Sequence, residues 1–447
     1  MSRKSLVGPL ILILLGVLFL VNNLYPDLKI FTQLILYWPF LLIAWGLLRL
    51  IEILALAARG GPIPARGLSG GEIALVVLIC LLGTATYTAK RRLPNVNISF
   101  GRLGVEAFGE AFEYPVELRQ DAGPKPRIIL DIPRGNARVT GDATGEIRVG
   151  GTKSIRALDR RDADRMNQEA SLRLEREGNR LVVRAQPLAG EARNVTLNLE
   201  IQAPRDASIE ARGGYGDFDI SGLDGSVEIV SDNAGVRLSQ IGGNVRVETK
   251  RSDVIRAAGV KGDVSVSGRG NDVELADIQG QASVQGSFSG DLVFRNLAKP
   301  LRFASRSTEL SVEQVPGNLH IDLGDVEGTN LVGPIQFTSR SKDLRLSEFK
   351  GPLTVSLDRG DVDLDPRELP LSKMDVRVKS GDLKVTLPGA AKFELAAQTE
   401  RGEVRNDFGE MLTLQTEGRS ARLAGRTGAG PSINLLTSRG SVTVRKQ

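Results

Sequence analysis

An acidic side chain stands immediately before each of eight short apolar triplets: Asp217, Asp253, Asp272, Asp291, Glu309, Asp325, Asp343 and Asp361. Gly235 fills the same place once. If the triplets are stacked strands, these carboxylates line one edge about 5 Å apart, where like charges repel by about 1 kcal/mol per pair even in water. Something must offset that repulsion. One answer is bound calcium or a cationic ligand along the edge. The other is that each carboxylate accepts turn N–H groups, which Gly216, Gly290, Gly324 and Gly360 favour by marking corners. Calcium takes six to eight oxygens and no dedicated loop is evident, so turn capping is the preferred reading and no metal is assigned.

The remaining reactive residue types form no recognisable constellation. Asp361, Asp363 and Asp365 alternate beside Arg359, a pattern a calcium-dependent lyase could use. No glycine follows where an EF-hand needs one, however, and Pro366 ends the run, so a solvated strand face is the simpler reading. His320 lies between Leu319 and Ile321 and is the chain's one histidine. It therefore gives little support to a zinc site, or to a triad with serines such as Ser231 or Ser305. Cys80, the single cysteine, excludes an intramolecular disulfide and sits in an apolar run without the preceding small residue of a lipobox. Asn194-Val195-Thr196 matches a glycosylation sequon, as chance allows. No catalytic residue and no cofactor is expected.

The elements that must position these side chains come from a repeat. Between Gly216 and Pro366 apolar pairs recur with a period near eighteen residues. First triplets include Phe218/Ile220, Val236/Leu238, Val273/Leu275, Leu310/Val312 and Val362/Leu364. Second triplets include Val227/Ile229, Val245/Val247, Leu301/Phe303, Leu319/Ile321 and Leu353/Val355. Between them stands an apolar residue with glycine two places on, as in Leu223/Gly225 and Ile241/Gly243. Alternation at period two predicts strands with one buried face, and the glycines allow positive φ or close approach at corners. Strands so short bury a core only when stacked, which predicts an all-β solenoid of about eight coils of ~18 residues. The period slips at Val254 (partnered by Arg256), at Ala282 and around Val326, where bulges or irregular corners are expected.

Charge and hydropathy divide the chain further. Of the net +5, residues 1–92 carry +6 and the remainder −1, so the soluble part has no basic stripe for nucleic acid. Three uncharged runs predict a transmembrane anchor over 1–92, with helices about 6–24, 31–57 and 73–89, in contact with the lipid bilayer. Arg49 and Glu52 read as an interfacial pair at the end of the second span. Arg3 and Lys4 favour a cytoplasmic amino terminus and, after three spans, an extracytoplasmic soluble domain, whereas Lys90-Arg91-Arg92 opposes that orientation. The other expected regions are a stalk or linker at 93–125, an N-terminal β cap at 126–215 with a solvated helix near 159–169, solenoid repeats at 216–366, and C-terminal strands and cap at 367–447.

Gly8-Pro9, Asn22-Asn23, Tyr37-Trp38-Pro39 and Ala44-Trp45-Gly46 resemble the LiaF-like transmembrane region. Pro133-Arg134-Gly135-Asn136, the units Gly360-Asp361-Val362 and Gly381-Asp382-Leu383, and the ending Thr437-Ser438-Arg439-Gly440-Ser441-Val442 resemble the bacterial putative-adhesin domain of unknown function. The resemblance implies a β-solenoid at the cell envelope, linked by name to adhesion and by its anchor to envelope-stress regulation, with no catalytic residues to carry over. The expectation is a non-enzymatic, multi-pass protein of the cell (inner) membrane. It would present an adhesin-like binding or scaffold surface to envelope polysaccharide or to a membrane partner protein. The alternative is a stress-sensing regulator acting through the membrane helices, and a polysaccharide-active β-helix enzyme is the third class.

Overall fold

The computed structural model describes residues 109–185 and 194–447, together with Leu47. Apart from Leu47, the three expected spans, the Arg49/Glu52 pair, Cys80 and the first part of the expected stalk lie outside the described residues. Among the described residues no helix is long and apolar enough to cross a membrane. The chain divides into Met1–Glu110 and Ala111–Gln447, and the second unit holds nearly all of the described residues.

Alternating burial, such as Val227, Ile229 and Ser231 inward with Glu228 and Val230 outward, turns each short segment into a strand with one greasy face. The strands stack parallel and in register from rung to rung: Val227 opposes Ile209 on one side and Val245 on the other, and Val236 opposes Phe218 and Ile255. Two ladders result. Ladder A holds the second triplets and begins with Arg127–Arg134, Ser208–Tyr215 and Val227–Asn233. Ladder B holds the first triplets and begins with Ala137–Asp142, Phe218–Leu223 and Val236–Ile241. Val245–Val260 and Val264–Ile278 each run through both ladders without a break. The inward faces share a core in which Phe218, Phe294 and Phe337 are fully buried. Each such side chain contributes roughly 1.5–3 kcal/mol by leaving water.

The middle of the stack departs from the expected winding. Thr308–Ile321 is antiparallel to its neighbours on both sides. Leu310 opposes Phe303, and Leu319 opposes Phe294, so Leu310/Val312 belong to ladder A and Leu319/Ile321 to ladder B, the reverse of their expected places. An apolar, polar, apolar triplet reads the same in either direction, so the pattern carries no sign of strand polarity. The irregularity near Val326 is one of the two hairpins that make this reversal. At Val254 the register shifts between Thr249 and Ser252, as a bulge, so that Ile255 and Ala257 rather than Val254 and Arg256 take the inward places. At Ala282 no irregularity occurs: it opposes Val264 in register and is a small core residue.

Parallel pairing also runs beyond 216–366 in both directions. Met374–Ser380 and Leu383–Leu387 continue the ladders on Leu353–Arg359 and Val362–Asp365. The next rung is not the next segment of chain. Ser432–Thr437 and Val442–Lys446 pair with Met374–Ser380 and Leu383–Leu387. Glu394–Thr399 and Val404–Asn406 stack on the far side of those last strands. The chain thus skips a rung, builds the hairpin Leu412–Glu417 and Ser420–Arg426 against Glu394–Thr399, and returns to fill the gap.

At the other end Glu110–Asp121, expected in a stalk, is a strand paired with Glu146–Ala157. The helix near 159–169 spans Arg160–Glu169, with the Asp159 side chain accepting from Asp162 N and with Ala163 and Met166 turned inward.

Candidate functional site

Six of the eight expected acids share one corner of ladder B: Asp217, Asp272, Asp291, Asp325, Asp343 and Asp361. The bulge moves Asp253 out of line, and Val254 opposes Asp272 in its stead. Glu309 lies in ladder A opposite Ala304 and Thr338, because its segment runs backwards.

Four of these six acids work between rungs rather than within turns. Asp217 Oδ1 accepts from Gly235 N at 3.0 Å, Asp272 Oδ1 from Asp291 N at 3.1 Å, and Asp343 Oδ1 from Asp361 N at 2.9 Å. Asp361 Oδ1 accepts from Asp382 N at 2.8 Å, and Asp382 Oδ1 from Ser441 N at 2.7 Å. Asn136 begins the series by accepting from Asp217 N at 2.8 Å. Each side chain therefore binds the N–H that stands in its own place one rung further on. Carboxylate-to-N–H bonds of this kind are charge-assisted and offset the repulsion along the column. The skipped rung makes Ser441, not a residue of 394–406, the acceptor's partner after Asp382.

Asn136 and Asp382 extend the column beyond the acids expected in it. Both were legible as parts of Pro-Arg-Gly-Asn and Gly-Asp motifs. Glycine precedes the corner because backbone passes very close there: a Cβ on Gly381, whose φ is 153°, would lie 2.0 Å from Gly360 O. Asp322, also outside the expected set, closes the hairpin at the end of the reversed segment. Its Oδ1 accepts from Gly324 N at 2.7 Å and Asp325 N at 2.6 Å. The bond from Asp325 holds its carboxyl below the usual range against a smaller opposing effect of burial, helped by the bond from Gly324 and by His320 and Lys342 nearby. Lys342 donates to Asp322 O, and burial pushes its ammonium pKa down.

The other singled-out residues lie apart from one another. His320 Nε2 lies 3.4 Å from Asp291 Oδ1. Asp363 pairs with Lys384 at 2.7 Å and Asp365 with Arg367 at 3.1 Å, so the alternating acids do not converge on one point. Ser305 forms the first hairpin of the reversal, its Oγ accepting from Thr308 N at 3.1 Å. Ser231 is buried opposite Thr249. Among the described residues no group of three or more His, Cys, Asp or Glu side chains is placed to hold a metal ion.

Two buried charges near the first rungs had no signal in the repeat. Glu210, 8% exposed, takes Arg127 at 2.6 Å and Arg212 at 2.5 Å. Burial acts to raise its pKa, but the two guanidiniums outweigh that effect and hold it low. Lys153 donates to Asn167 O at 2.8 Å and Ala170 O at 2.6 Å, closing the carboxyl end of the helix, while burial lowers its pKa.

Comparison with known proteins places these features in context. Residues 143–445 match the family model described as Toastrack DUF4097, and residues 7–93 match the LiaF transmembrane domain. No curated protein matches the chain. Among solved structures, a "putative cell adhesion protein" from Clostridium sporogenes is 10% identical, covering 76% of this chain and 100% of its own, with a TM-score of 0.18. A "putative adhesin" from Bacteroides fragilis is 12% identical, covering 75% of this chain and 97% of its own, also with a TM-score of 0.18. Likenesses this low establish nothing about what this chain binds.

Proposed function

Starting from a chain that belongs to the Toastrack DUF4097 family over residues 143–445 and matches the LiaF transmembrane domain over residues 7–93, we propose a membrane-anchored envelope protein whose β-solenoid serves as a non-enzymatic binding or scaffold module. The observation that carries this reading is how the corner acids are used. Asp217, Asp272, Asp343, Asp361 and Asp382 are engaged in joining one rung to the next. A column committed to holding the stack together is a structural device, and we assign it capping rather than calcium binding or catalysis. What remains for function is a long surface of repeated outward side chains, suited to many weak contacts.

The proposed arrangement is three spans within residues 1–92, a cytoplasmic amino terminus and an extracytoplasmic solenoid in the cell (inner) membrane. Reporter fusions joined after residue 92 test it: a reporter active only outside the cytoplasm should report, and a signal from its cytoplasmic counterpart overturns the orientation.

The match to the LiaF transmembrane domain favours a second reading, in which residues 1–92 bind a membrane signalling partner and the solenoid reports envelope stress. Replacing that segment by an unrelated three-span anchor separates the two. The scaffold reading expects surface function to survive the exchange, whereas the regulatory reading expects loss of a co-purifying membrane protein.

A further inference from the structure

The outward faces of the two ladders differ in chemistry. On ladder B, charges of opposite sign meet across rungs: Arg138 with Asp219 at 3.3 Å, Arg256 with Glu274 at 3.2 Å, Arg345 with Glu327 at 2.7 Å. On ladder A, one column runs in register through Ser265, Ser283, Arg302, Ser311, Gln336 and Thr354. All are exposed or half-buried, and a single charge interrupts five hydroxyl or amide side chains. The column two residues along, Ser267, Gln285, Ala304, Glu309, Thr338 and Ser356, has four hydroxyl or amide side chains, with Glu309 its one charge and Ala304 its one apolar member. Charge returns at both borders, where Arg246 opposes Ser265 and Asp375 opposes Thr354.

This face constrains its occupant. Along these two columns a polyanion or polycation would meet one charge of each sign, and the next column adds Arg269 and Arg340 against Asp358, so the net attraction is small, while the first column offers no aromatic or aliphatic area to an apolar partner. Donors and acceptors instead repeat at the rung spacing of about 4.8 Å, comparable to one pyranose unit along an extended glycan. We infer that the central outward face of ladder A binds a neutral linear polysaccharide laid along the stack, with roughly one sugar per rung. Each exposed hydrogen bond contributes little by itself, so affinity grows with the number of rungs engaged. This inference rests on the reading of the solenoid as an envelope-facing binding module and names its partner.

The test uses the full chain in detergent micelles, applied to microcrystalline cellulose, to an insoluble neutral β-1,3-glucan and to a cross-linked polygalacturonate gel. Retention on at least one neutral glucan and none on the anionic gel is expected. Ser265→Lys with Thr354→Lys should cut the retained fraction by about fivefold or more. Val293→Lys, on ladder B, should leave it unchanged. Gln336→Glu, close in shape to the native residue, gives a second readout that does not depend on the lysines being tolerated. Passage of the wild-type chain through both neutral glucans, equal retention on the anionic gel, or variants that bind like the wild type each overturn the inference. Membrane fractionation of the same preparation keeps the two readings apart. A chain that stays with membranes yet passes through the glucans removes only this inference, and a chain that fractionates as soluble removes the anchored reading itself.

Discussion

At the scale of single residues, Asp217, Asp272, Asp343, Asp361 and Asp382 act by accepting N–H groups from the following rung. Asp361→Ala removes the acceptor of Asp382 N at an exposed corner that water can reach and should cost about 0.5–1.5 kcal/mol, whereas Asp361→Asn keeps an oxygen in place and should cost less. Denaturant midpoints measure both. Added calcium should leave the wild-type melt unmoved, and a rise in melting temperature that Asp343→Asn abolishes would replace capping by cation binding. Acid sensitivity has a defined direction. Glu210 and Asp322 have folded pKa values below their ordinary ones, so each contributes stability that is complete above the ordinary carboxylate pKa and is lost as pH falls through the lower, folded value. Glu210→Gln should therefore lower stability at neutral pH and flatten the acid limb of the stability profile, as urea titrations at successive pH values would record.

At the scale of elements, the recurring unit needs a left-handed residue just before each corner apolar side chain. Gln240, Asp277, Asn296, Asn330 and Glu348 hold φ near 50°, at 55°, 56°, 49°, 54° and 55° respectively, where most side chains are strained. The glycines two places after the apolar residue serve mainly close approach: a Cβ on Gly225 would lie 2.2 Å from Ala207 O. Asparagine tolerates the left-handed region better than glutamine, so Gln240→Asn should raise the unfolding free energy by up to about 1 kcal/mol. The reversed segment depends on a different contact. Thr308 Oγ1 and Ser339 Oγ, both buried, lie 3.0 Å apart across the antiparallel pair. Thr308→Val should cost about 1–3 kcal/mol by stranding the serine hydroxyl, and adding Ser339→Ala should recover part of it, a coupling that a double-mutant cycle reads directly.

At the scale of the whole described unit, stability passes from rung to rung, yet the order of rungs is not the order of the chain. Residues 432–446 sit between 374–387 and 394–406, so those flanking rungs meet this shared neighbour only after the last residues are made. Deleting residues 432–447 should expose both faces of that gap, making 391–426 rapidly cleaved in limited proteolysis while the rungs over 127–365 resist. A truncated chain with full-length melting and cleavage behaviour would refute the keystone role of this segment.

The sequence alone determined that the chain is a stacked β structure, most of the residues that face inward and where most of its corners fall. Those properties follow from local alternation and from glycine and aspartate at fixed offsets, each expressed within one period. It also carried the resemblance that the family match bears out. Strand polarity, rung order and the partners of the acids were decided only in three dimensions. Leu310/Val312 satisfy the same inward places whichever way their strand runs, so the reversal leaves no trace in the hydrophobic pattern. Val442 is as good a neighbour for Leu383 as any earlier valine, so nothing local reveals that the last strand fills an earlier gap. Glu309 and Asp253 looked like column acids by spacing, and one reversed segment and one bulge moved them elsewhere, because direction and register belong to the stack as a whole.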